Sequence, residues 1–327
     1  MAQAVSLRCD SRKLTACATS ECILFDVPTI AEAISEGSRL LEQAGVGEAR
    51  RTAGVLLARR LGIDRTRLIT HPEETISEED HETFLQMIER RAAGEPLQYI
   101  TGHQEFYRLD FLVTPAVLIP RPETEFLVER VLSLVRDAQL PAPLIVDAGT
   151  GSGCIAVTLA VELPGARLIA TDISGAALRV ARENAARHGV SARVEFYEGD
   201  LVAPLVALGI NEQVDVLASN PPYVAEDHPE MVQREVRQFE PHTALFGGAD
   251  GLTFYRRLLA EGFDVVKPRG FLVCEIGYSQ LDAVTEMVAA SRWQLVEVIH
   301  DLQGIPRTLV IRKPSDTDSA RRPLLDE

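Results

Sequence analysis

Apolar positions repeat at helical spacing in the first third of the chain. Ile30 and Ile34 begin such a run, which glycines interrupt before the next helical segment. Ser77 precedes three consecutive acidic residues, a pattern that predicts an N-cap and a helix running to Arg91. We predict a helical bundle over residues 28–103, and its lack of a cluster of catalytic groups favours a docking domain.

After residue 144 the pattern changes to short β-prone apolar segments separated by helical ones. Strands that alternate with helices predict an α/β fold, in which a mostly parallel seven-stranded sheet is covered on both faces. The last two segments suit an antiparallel pair. The predicted strands cover residues 144–146, 167–171, 193–197, 214–218, 270–275, 294–300 and 307–312, and the clearest helices cover residues 176–188 and 253–266.

Residues 104–122 differ from both halves. They begin with an aromatic, β-prone run and continue with three prolines, so we predict a β-hairpin linker. A helix from Thr124 to Ala138 leads into the second domain, predicted over residues 123–313. The remaining residues, 314–327, are charged and lack apolar periodicity, which predicts a disordered tail.

The first segment, residues 1–27, has no clear periodicity. Arg8 and Arg12 precede a stretch containing serine and threonine, as in a transit peptide. Asp10, Glu21 and the lack of an apolar core argue against that interpretation. We expect a disordered extension or an upstream start codon.

Charge and cysteine content narrow the functional classes. The formal net charge of −15 gives the chain no general attraction to phosphate backbones, although this net charge does not exclude a local basic patch. The five cysteines are odd in number and form no Cys-x-x-Cys pair. They argue against a disulfide framework or a metal site and favour a reducing, cytoplasmic location. No apolar run approaches the ~20 residues that a membrane-spanning helix needs.

A glycine-rich loop follows the first predicted strand of the second domain. Glycines at alternate positions allow a sharp turn and a close approach of a ligand to the backbone, and this loop lies at the carboxyl end of its strand, where open α/β sheets bind ligands. Asp172, at the end of the second strand, can accept hydrogen bonds from two ribose hydroxyls. The loop consists of Asp147, Ala148, Gly149, Thr150, Gly151, Ser152 and Gly153.

Two ligands fit this pattern, a dinucleotide and S-adenosylmethionine. The glycine spacing is GxGxG rather than the GxGxxG of dinucleotide sites. Asp147 would repel a pyrophosphate, but it can help to hold the ammonium of S-adenosylmethionine directly or through water. We therefore favour S-adenosylmethionine. Asp200 and Leu201, after the third strand, are candidates for contacting the adenine amine and ring, with a helix N-cap as the alternative role for Asp200.

The tetrapeptide Asn220-Pro221-Pro222-Tyr223 follows the fourth strand at the same edge of the sheet. Consecutive prolines fix two φ angles and hold an extended backbone. The Asn220 side-chain oxygen and the Pro221 carbonyl can accept hydrogen bonds from one NH2 group and so orient its nitrogen, and Tyr223 can offer a flat apolar wall. We predict that Asn220, Pro221 and Tyr223 are catalytic, that all four residues bind substrate, and that no metal is needed.

The order of these motifs resembles the HemK/PrmC family of protein-(glutamine-N5) methyltransferases, the peptide chain release factor methyltransferases. Other segments are similar to that family, including those around Gln98, Pro120, Glu240, Gly247 and Glu275. The resemblance implies a class I, Rossmann-like methyltransferase domain and methylation of the glutamine in the Gly-Gly-Gln motif of class I release factors. It also implies that the glycine loop, Asp172, Leu201 and Asn220 contact S-adenosylmethionine.

Two rival functions share parts of this pattern. Adenine-N6 methyltransferases of DNA or RNA use a similar tetrapeptide for the same electronic reason, but they need basic residues to hold phosphates. The acidic balance argues against them, and we expect neither direct nucleic-acid binding nor a membrane partner. A non-catalytic S-adenosylmethionine-binding scaffold would not need the intact tetrapeptide.

Overall fold

The computed structural model describes residues 27–228 and 232–315. Apart from Val27, Pro314 and Ser315, the predicted extension at 1–27 and the predicted tail at 314–327 lie outside the described residues. Within the described ranges, no helix is long and apolar enough to cross a membrane.

Five helices form the amino-terminal part, and their starts follow local capping chemistry. Thr29 and Glu32 form a capping box at the first helix, and the Ser77 hydroxyl accepts from the Asp80 amide at the fourth. Their apolar faces meet in one core that includes Leu41, Leu56 and Phe84. The helices are α1 (Ile30–Gln43), α2 (Ala49–Leu61), α3 (Arg65–Thr70), α4 (Glu78–Ala92) and α5 (Leu97–Thr101).

A two-stranded antiparallel hairpin follows, as the aromatic run predicted. Strands β1 (His103–Phe106) and β2 (Leu109–Leu112) pair through a tight turn, in which Tyr107 and Arg108 have positive φ. Phe106 and Phe111 pack edge to face with ring centroids 6.0 Å apart. The hairpin joins the core of the second half through these two rings.

The second half contains the predicted seven-stranded sheet. Its strand order is β5-β4-β3-β6-β7-β9-β8, with the first five strands parallel and β9 and β8 antiparallel at one end. The strands are β3 (Leu144–Ala148), β4 (Arg167–Asp172), β5 (Val194–Glu198), β6 (Val214–Ser219), β7 (Val266–Glu275), β8 (Gln294–His300) and β9 (Pro306–Arg312).

Helices cover both faces of the sheet and enclose two apolar layers. The helices are α6 (Thr124–Asp137), α7 (Cys154–Glu162), α8 (Gly175–Arg187), α9 (Ala203–Ala207), α10 (Arg234–Phe239), α11 (Thr253–Val265) and α12 (Leu281–Ala289). The largest boundary difference from the sequence prediction is at β7, which begins at Val266 rather than residue 270. The backbone leaves α11 directly into this strand, and the register shifts between Val214 and Val216.

The strand order reverses at β3, which pairs with β4 on one side and with β6 on the other. Such a reversal opens a crevice, because the chain leaves the two neighbouring strands in opposite directions. The glycine-rich loop follows β3 and the Asn-Pro-Pro-Tyr segment follows β6. The fold therefore brings the two sequence motifs to the same crevice.

Candidate active site

A cavity of about 730 Å³ lies at the carboxyl ends of the central strands. The loops after β3, β4, β5 and β6 form part of it, and the segment between β2 and α6 closes one side. A short 3-10 turn, His242–Ala244, and the end of α10 line another side. This volume is in the range that holds a cofactor together with part of a substrate.

The loop after β3 presents its backbone to this cavity. Gly149 and Gly151 have φ values of 77° and 55°, a region that glycine adopts without strain. A Cβ atom at either position would meet no atom within 4 Å. The amides of Gly149 and Thr150 each donate to the Thr171 carbonyl at 2.9 Å, which fixes the loop to β4. Ser152 also lines the cavity. The loop thus leaves open space for a ligand beside its backbone.

Two residues that the sequence assigned to the ligand lie behind the loop instead. Asp147 is fully buried outside the cavity lining, and one of its oxygens accepts from the Thr150 hydroxyl at 2.6 Å and the Ala156 amide at 3.2 Å. Burial raises the pKa of Asp147 to about 7. Gly153 begins α7, where a Cβ would lie 3.1 Å from that of Ala181. Both residues shape the loop from behind.

Asp172 lines the cavity at the end of β4. Its two oxygens accept from the amides of Gly151 at 2.9 Å and Ser174 at 2.8 Å. Each oxygen keeps capacity for a further donor. Burial raises the pKa of Asp172. A rigid carboxylate at this position matches a pair of neighbouring ligand hydroxyls.

Asp200 and Leu201 lie at the next strand end. The alternative role of Asp200 as a helix N-cap is wrong, because the cap of α9 is Val202 and has no side-chain cap bond. Both Asp200 oxygens instead accept from Arg257 Nη1, at 2.9 Å and 2.8 Å. Leu201 has a φ of 47°, is buried, and lines the cavity, where it offers an apolar contact.

Asn220 and the two prolines line the cavity from the other side of the crevice. Asn220 Nδ2 donates to the Thr124 hydroxyl oxygen at 3.1 Å, and that hydroxyl donates to Glu275 Oε2 at 2.6 Å. The Pro221 carbonyl is not used in a hydrogen bond within the described ranges. Two acceptors, the Asn220 side-chain oxygen and the Pro221 carbonyl, are therefore available beside the cavity.

Tyr223 is placed differently from the sequence prediction. It does not line the cavity. Its ring packs over Gly277, where a Cβ would come within 2.9 Å of it, and its hydroxyl donates to Glu275 Oε1 at 3.3 Å. Gln280 Nε2 also donates to the Tyr223 carbonyl at 2.9 Å. These contacts fix the half-buried Tyr223 beside Gly277 and Glu275, so in this structure it anchors the tetrapeptide and does not form a wall of the cavity.

The positive charges at the cavity are mostly paired within the protein. Arg121 Nη2 contacts Glu240 Oε1 at 2.5 Å, and Arg257 contacts Asp200 and Glu261. Each of these guanidinium groups has a carboxylate partner, so neither is a free site for a phosphate group. Arg237 also lines the cavity and has no carboxylate partner within the described ranges, so one of the three arginines there is unpaired.

Comparison with known proteins agrees with this geometry. The PrmC N-terminal domain matches residues 32–102 and the methyltransferase small domain matches residues 124–264. A release factor glutamine methyltransferase from Koribacter versatilis is 46% identical over 88% of this chain and 99% of that protein. One from Bacillus subtilis is 40% identical over 86% of this chain and 96% of that protein.

The chain belongs to the release factor glutamine methyltransferase family. The sequence resemblance is therefore confirmed. The methyltransferase fold is also confirmed: the catalytic domain of hMettl16, in complex with an RNA hairpin of the MAT2A 3'UTR, superposes with a TM-score of 0.51 at 16% identity, covering 76% of this chain and 85% of that one. At this identity the likeness concerns the fold alone.

The structure adds residues to which the sequence assigned no role. Thr124, Glu275 and Gln280 contact the tetrapeptide from α6, the end of β7 and the start of α12. Gly247 and Gly251 pass so close that a Cβ would lie 2.5 Å from the Pro222 carbonyl oxygen or 2.4 Å from that of Tyr223. Several of these residues fall in segments that resemble the family, and that resemblance was the one feature of the sequence that pointed to them.

Proposed function

We propose that this protein transfers a methyl group from S-adenosylmethionine to the side-chain amide nitrogen of the glutamine in the Gly-Gly-Gln motif of class I peptide chain release factors. The observation that carries the proposal is the Asn220 amide, whose NH2 group is engaged by Thr124 and whose oxygen is left for a substrate. Membership of the release factor glutamine methyltransferase family supports the identity of the acceptor.

The cofactor half has features that fit S-adenosylmethionine. Gly149 and Gly151 leave space beside the backbone, Asp172 offers two acceptors for the ribose hydroxyls, and Asp200 and Leu201 lie where the adenine would be held. Asp147 Oδ1 is buried without a hydrogen-bond partner in the described part of the chain. When ionised, it favours a cation beside the loop and disfavours a pyrophosphate.

When bound, S-adenosylmethionine supplies an electrophilic methyl group on a sulfonium. A glutamine amide is a poor nucleophile, because its lone pair is delocalised into the carbonyl. The Asn220 side-chain oxygen and the Pro221 carbonyl would accept hydrogen bonds from the two N–H groups of this amide. These two bonds would orient the nitrogen toward the methyl carbon. In the proposed reaction the amide nitrogen would gain the methyl group as the carbon–sulfur bond breaks, S-adenosylhomocysteine would leave, and the nitrogen would release one proton to solvent.

We assign docking of the release factor to the amino-terminal helices. Arg91, at the end of α4, contacts Glu235 of α10 at 2.9 Å, and α10 leads into the segment that lines the cavity. Phe239 of α10 lies beside Gly94. A protein bound to the helices would thus lie next to the cavity entrance. Such a substrate would place the enzyme in the cytoplasm, where translation terminates.

A labelling experiment separates this function from adenine methylation. The protein is incubated with S-adenosylmethionine carrying a labelled methyl group and either a class I release factor or adenine-containing DNA or RNA. We expect label on the release factor and none on nucleic acid. A release factor with glutamine replaced by alanine in its Gly-Gly-Gln motif is the matched control. Label on nucleic acid with an unmodified release factor would overturn the proposal.

A further inference from the structure

One buried carboxylate reaches both ends of the tetrapeptide. Glu275 is 2% exposed, and its two oxygens accept hydrogen bonds from different groups. Oε2 accepts from the Thr124 hydroxyl at 2.6 Å, and Oε1 accepts from the Tyr223 hydroxyl at 3.3 Å. Thr124 in turn accepts from Asn220 Nδ2 at 3.1 Å. A continuous path of hydrogen bonds thus joins Asn220, Thr124, Glu275 and Tyr223.

The direction of these bonds determines which atom Asn220 presents to the cavity. A threonine hydroxyl has a single proton, and Thr124 donates it to Glu275 Oε2, which in the ionised form of the carboxylate can only accept. The Thr124 oxygen is then an acceptor toward Asn220, which must supply its NH2 group. The Asn220 oxygen is left for the substrate. With the amide reversed, an NH2 group would face the NH2 group of the substrate, and the two would repel.

We propose that Glu275 is a positioning residue for methyl transfer, which acts through Thr124 to hold the Asn220 amide with its oxygen toward the substrate and which anchors Tyr223 at the other end of the tetrapeptide. This inference rests on the proposed function for its consequence in catalysis. The orientation of Asn220 is a property of the protein alone and can be measured without any substrate.

The energetics of Glu275 support a functional reason for its presence. The pKa of Glu275 is raised to about 7, chiefly by burial and also by the nearby charge of Glu123, against the lowering effect of the hydrogen bonds from Thr124 and Tyr223 and of the charge of Arg307. Burial of a carboxylate costs free energy of folding. Replacement of buried charged groups by well-packed apolar residues of similar volume is often neutral or stabilising. Buried acids with shifted pKa values cluster at functional sites.

Thr124→Val tests the relay most specifically, because it keeps the shape of the side chain and removes only the hydroxyl. We expect kcat to fall on the order of 10–100-fold, the size expected for a misplaced reacting group. The dissociation constant for S-adenosylmethionine, measured by calorimetry, should change less than twofold. Thr124→Ser keeps the hydroxyl and should restore kcat to within about threefold of wild type. Loss of cofactor affinity and of kcat together in all variants would show a structural role only and overturn the proposal.

Thr158→Val is the matched control. Thr158 is fully buried in α7, and its hydroxyl has no hydrogen-bond partner in the described ranges. The substitution removes the same group from an equally buried position, so kcat should stay within twofold of wild type. An equal fall of kcat in both valine variants would overturn the positioning role.

A nuclear magnetic resonance measurement tests the orientation of Asn220 without any substrate. The chain has three asparagines, so protein labelled with 15N-asparagine gives three side-chain NH2 signals. We expect the Asn220 signal to shift and its hydrogen exchange to accelerate in Thr124→Val. Asn184 donates to the Leu112 and Ser152 carbonyls and should be unchanged, which provides an internal reference. An unchanged Asn220 signal overturns the positioning role, whereas a changed signal in a protein that methylates no release factor overturns only the proposed function.

Discussion

The two sides of the crevice are built by different physical means. On the β3 side, backbone conformation forms the surface: Gly149 and Gly151 have positive φ, and main-chain amides fix the loop to β4 and Asp172. On the β6 side, the Asn-Pro-Pro-Tyr segment is held by side chains that lie far away in sequence, above all Thr124 and Glu275. The cofactor side thus depends on local conformation and the substrate side on long-range packing.

This difference implies that the two sides respond differently to substitution. Under the proposed function, changes on the β3 side should affect mainly cofactor affinity, because its backbone surface and Asp172 line the part of the cavity assigned to the cofactor. Changes on the β6 side should affect mainly turnover, because its proposed role is to orient the acceptor nitrogen and not to hold the cofactor. Four substitutions test this separation, in order of decreasing expected effect.

Asn220→Ala should have the largest effect. It removes one of the two acceptors for the substrate NH2 group, and loss of an oriented polar contact at a reacting centre lowers turnover by about 10²–10³-fold. The dissociation constant for S-adenosylmethionine should stay within about tenfold. Single-turnover kinetics and calorimetry measure the two quantities. Turnover close to wild type would remove the role of Asn220.

Asp172→Ala should weaken cofactor binding more than it lowers turnover. It deletes the proposed acceptors for the ribose hydroxyls and the two hydrogen bonds from the Gly151 and Ser174 amides, so cofactor affinity should weaken on the order of 10–100-fold. Turnover at saturating S-adenosylmethionine should fall less than in Asn220→Ala. A large loss of turnover with unchanged affinity would contradict the assignment of Asp172 to the cofactor side.

Gly251→Ala should disturb the substrate side through the backbone. Its φ is 73°, and the new Cβ would lie 2.4 Å from the Tyr223 carbonyl oxygen. We expect a loss of about 1–3 kcal/mol in the free energy of unfolding, as for an overpacked site, and a fall in turnover of about tenfold. The control is Gly54→Ala in helix α2, where a Cβ meets nothing within 4 Å. There alanine should stabilise by up to about 1 kcal/mol.

Glu275→Gln should change the pH dependence of stability. The pKa of Glu275 is raised by burial to about 7, from an ordinary value of 4.5. The folded protein therefore binds more protons at this site than the unfolded chain between these pH values, and ionisation of Glu275 makes wild type less stable as pH rises. The melting temperature of the variant minus that of wild type should increase by a few degrees from pH 5 to pH 8. A constant difference would contradict a raised pKa.

The sequence predicted the parts of the molecule that depend on local patterns. Apolar periodicity located the strands of the seven-stranded sheet, the Ser77 pattern predicted the start of α4, and the aromatic run predicted the hairpin. The glycine loop could be identified because its spacing directly encodes its conformation. The reversal of strand order at β3, in the middle of the sheet, explains why the two motifs share a crevice.

The support of the substrate side could not be predicted in the same way. Thr124 and Glu275 are 151 residues apart in sequence and meet only through the fold. Tyr223 was expected to face the cavity because its neighbours do, yet a hydroxyl contact with Glu275 and the absence of a side chain at Gly277 draw it inward. Asp147 belongs to the glycine motif, but strand β3 ends one residue after it and leaves it buried.

Tandem mass spectrometry of a release factor treated with this enzyme and S-adenosylmethionine tests the central claim most directly. The Gly-Gly-Gln peptide should gain the mass of one methylene group, with the fragment ions placing it on the glutamine side chain. With the Asn220→Ala variant the same peptide should gain this mass about 10²–10³-fold more slowly. A methyl group at another residue would contradict the assignment of this crevice to glutamine methylation. So would a peptide that stays unmodified after treatment with the wild-type enzyme.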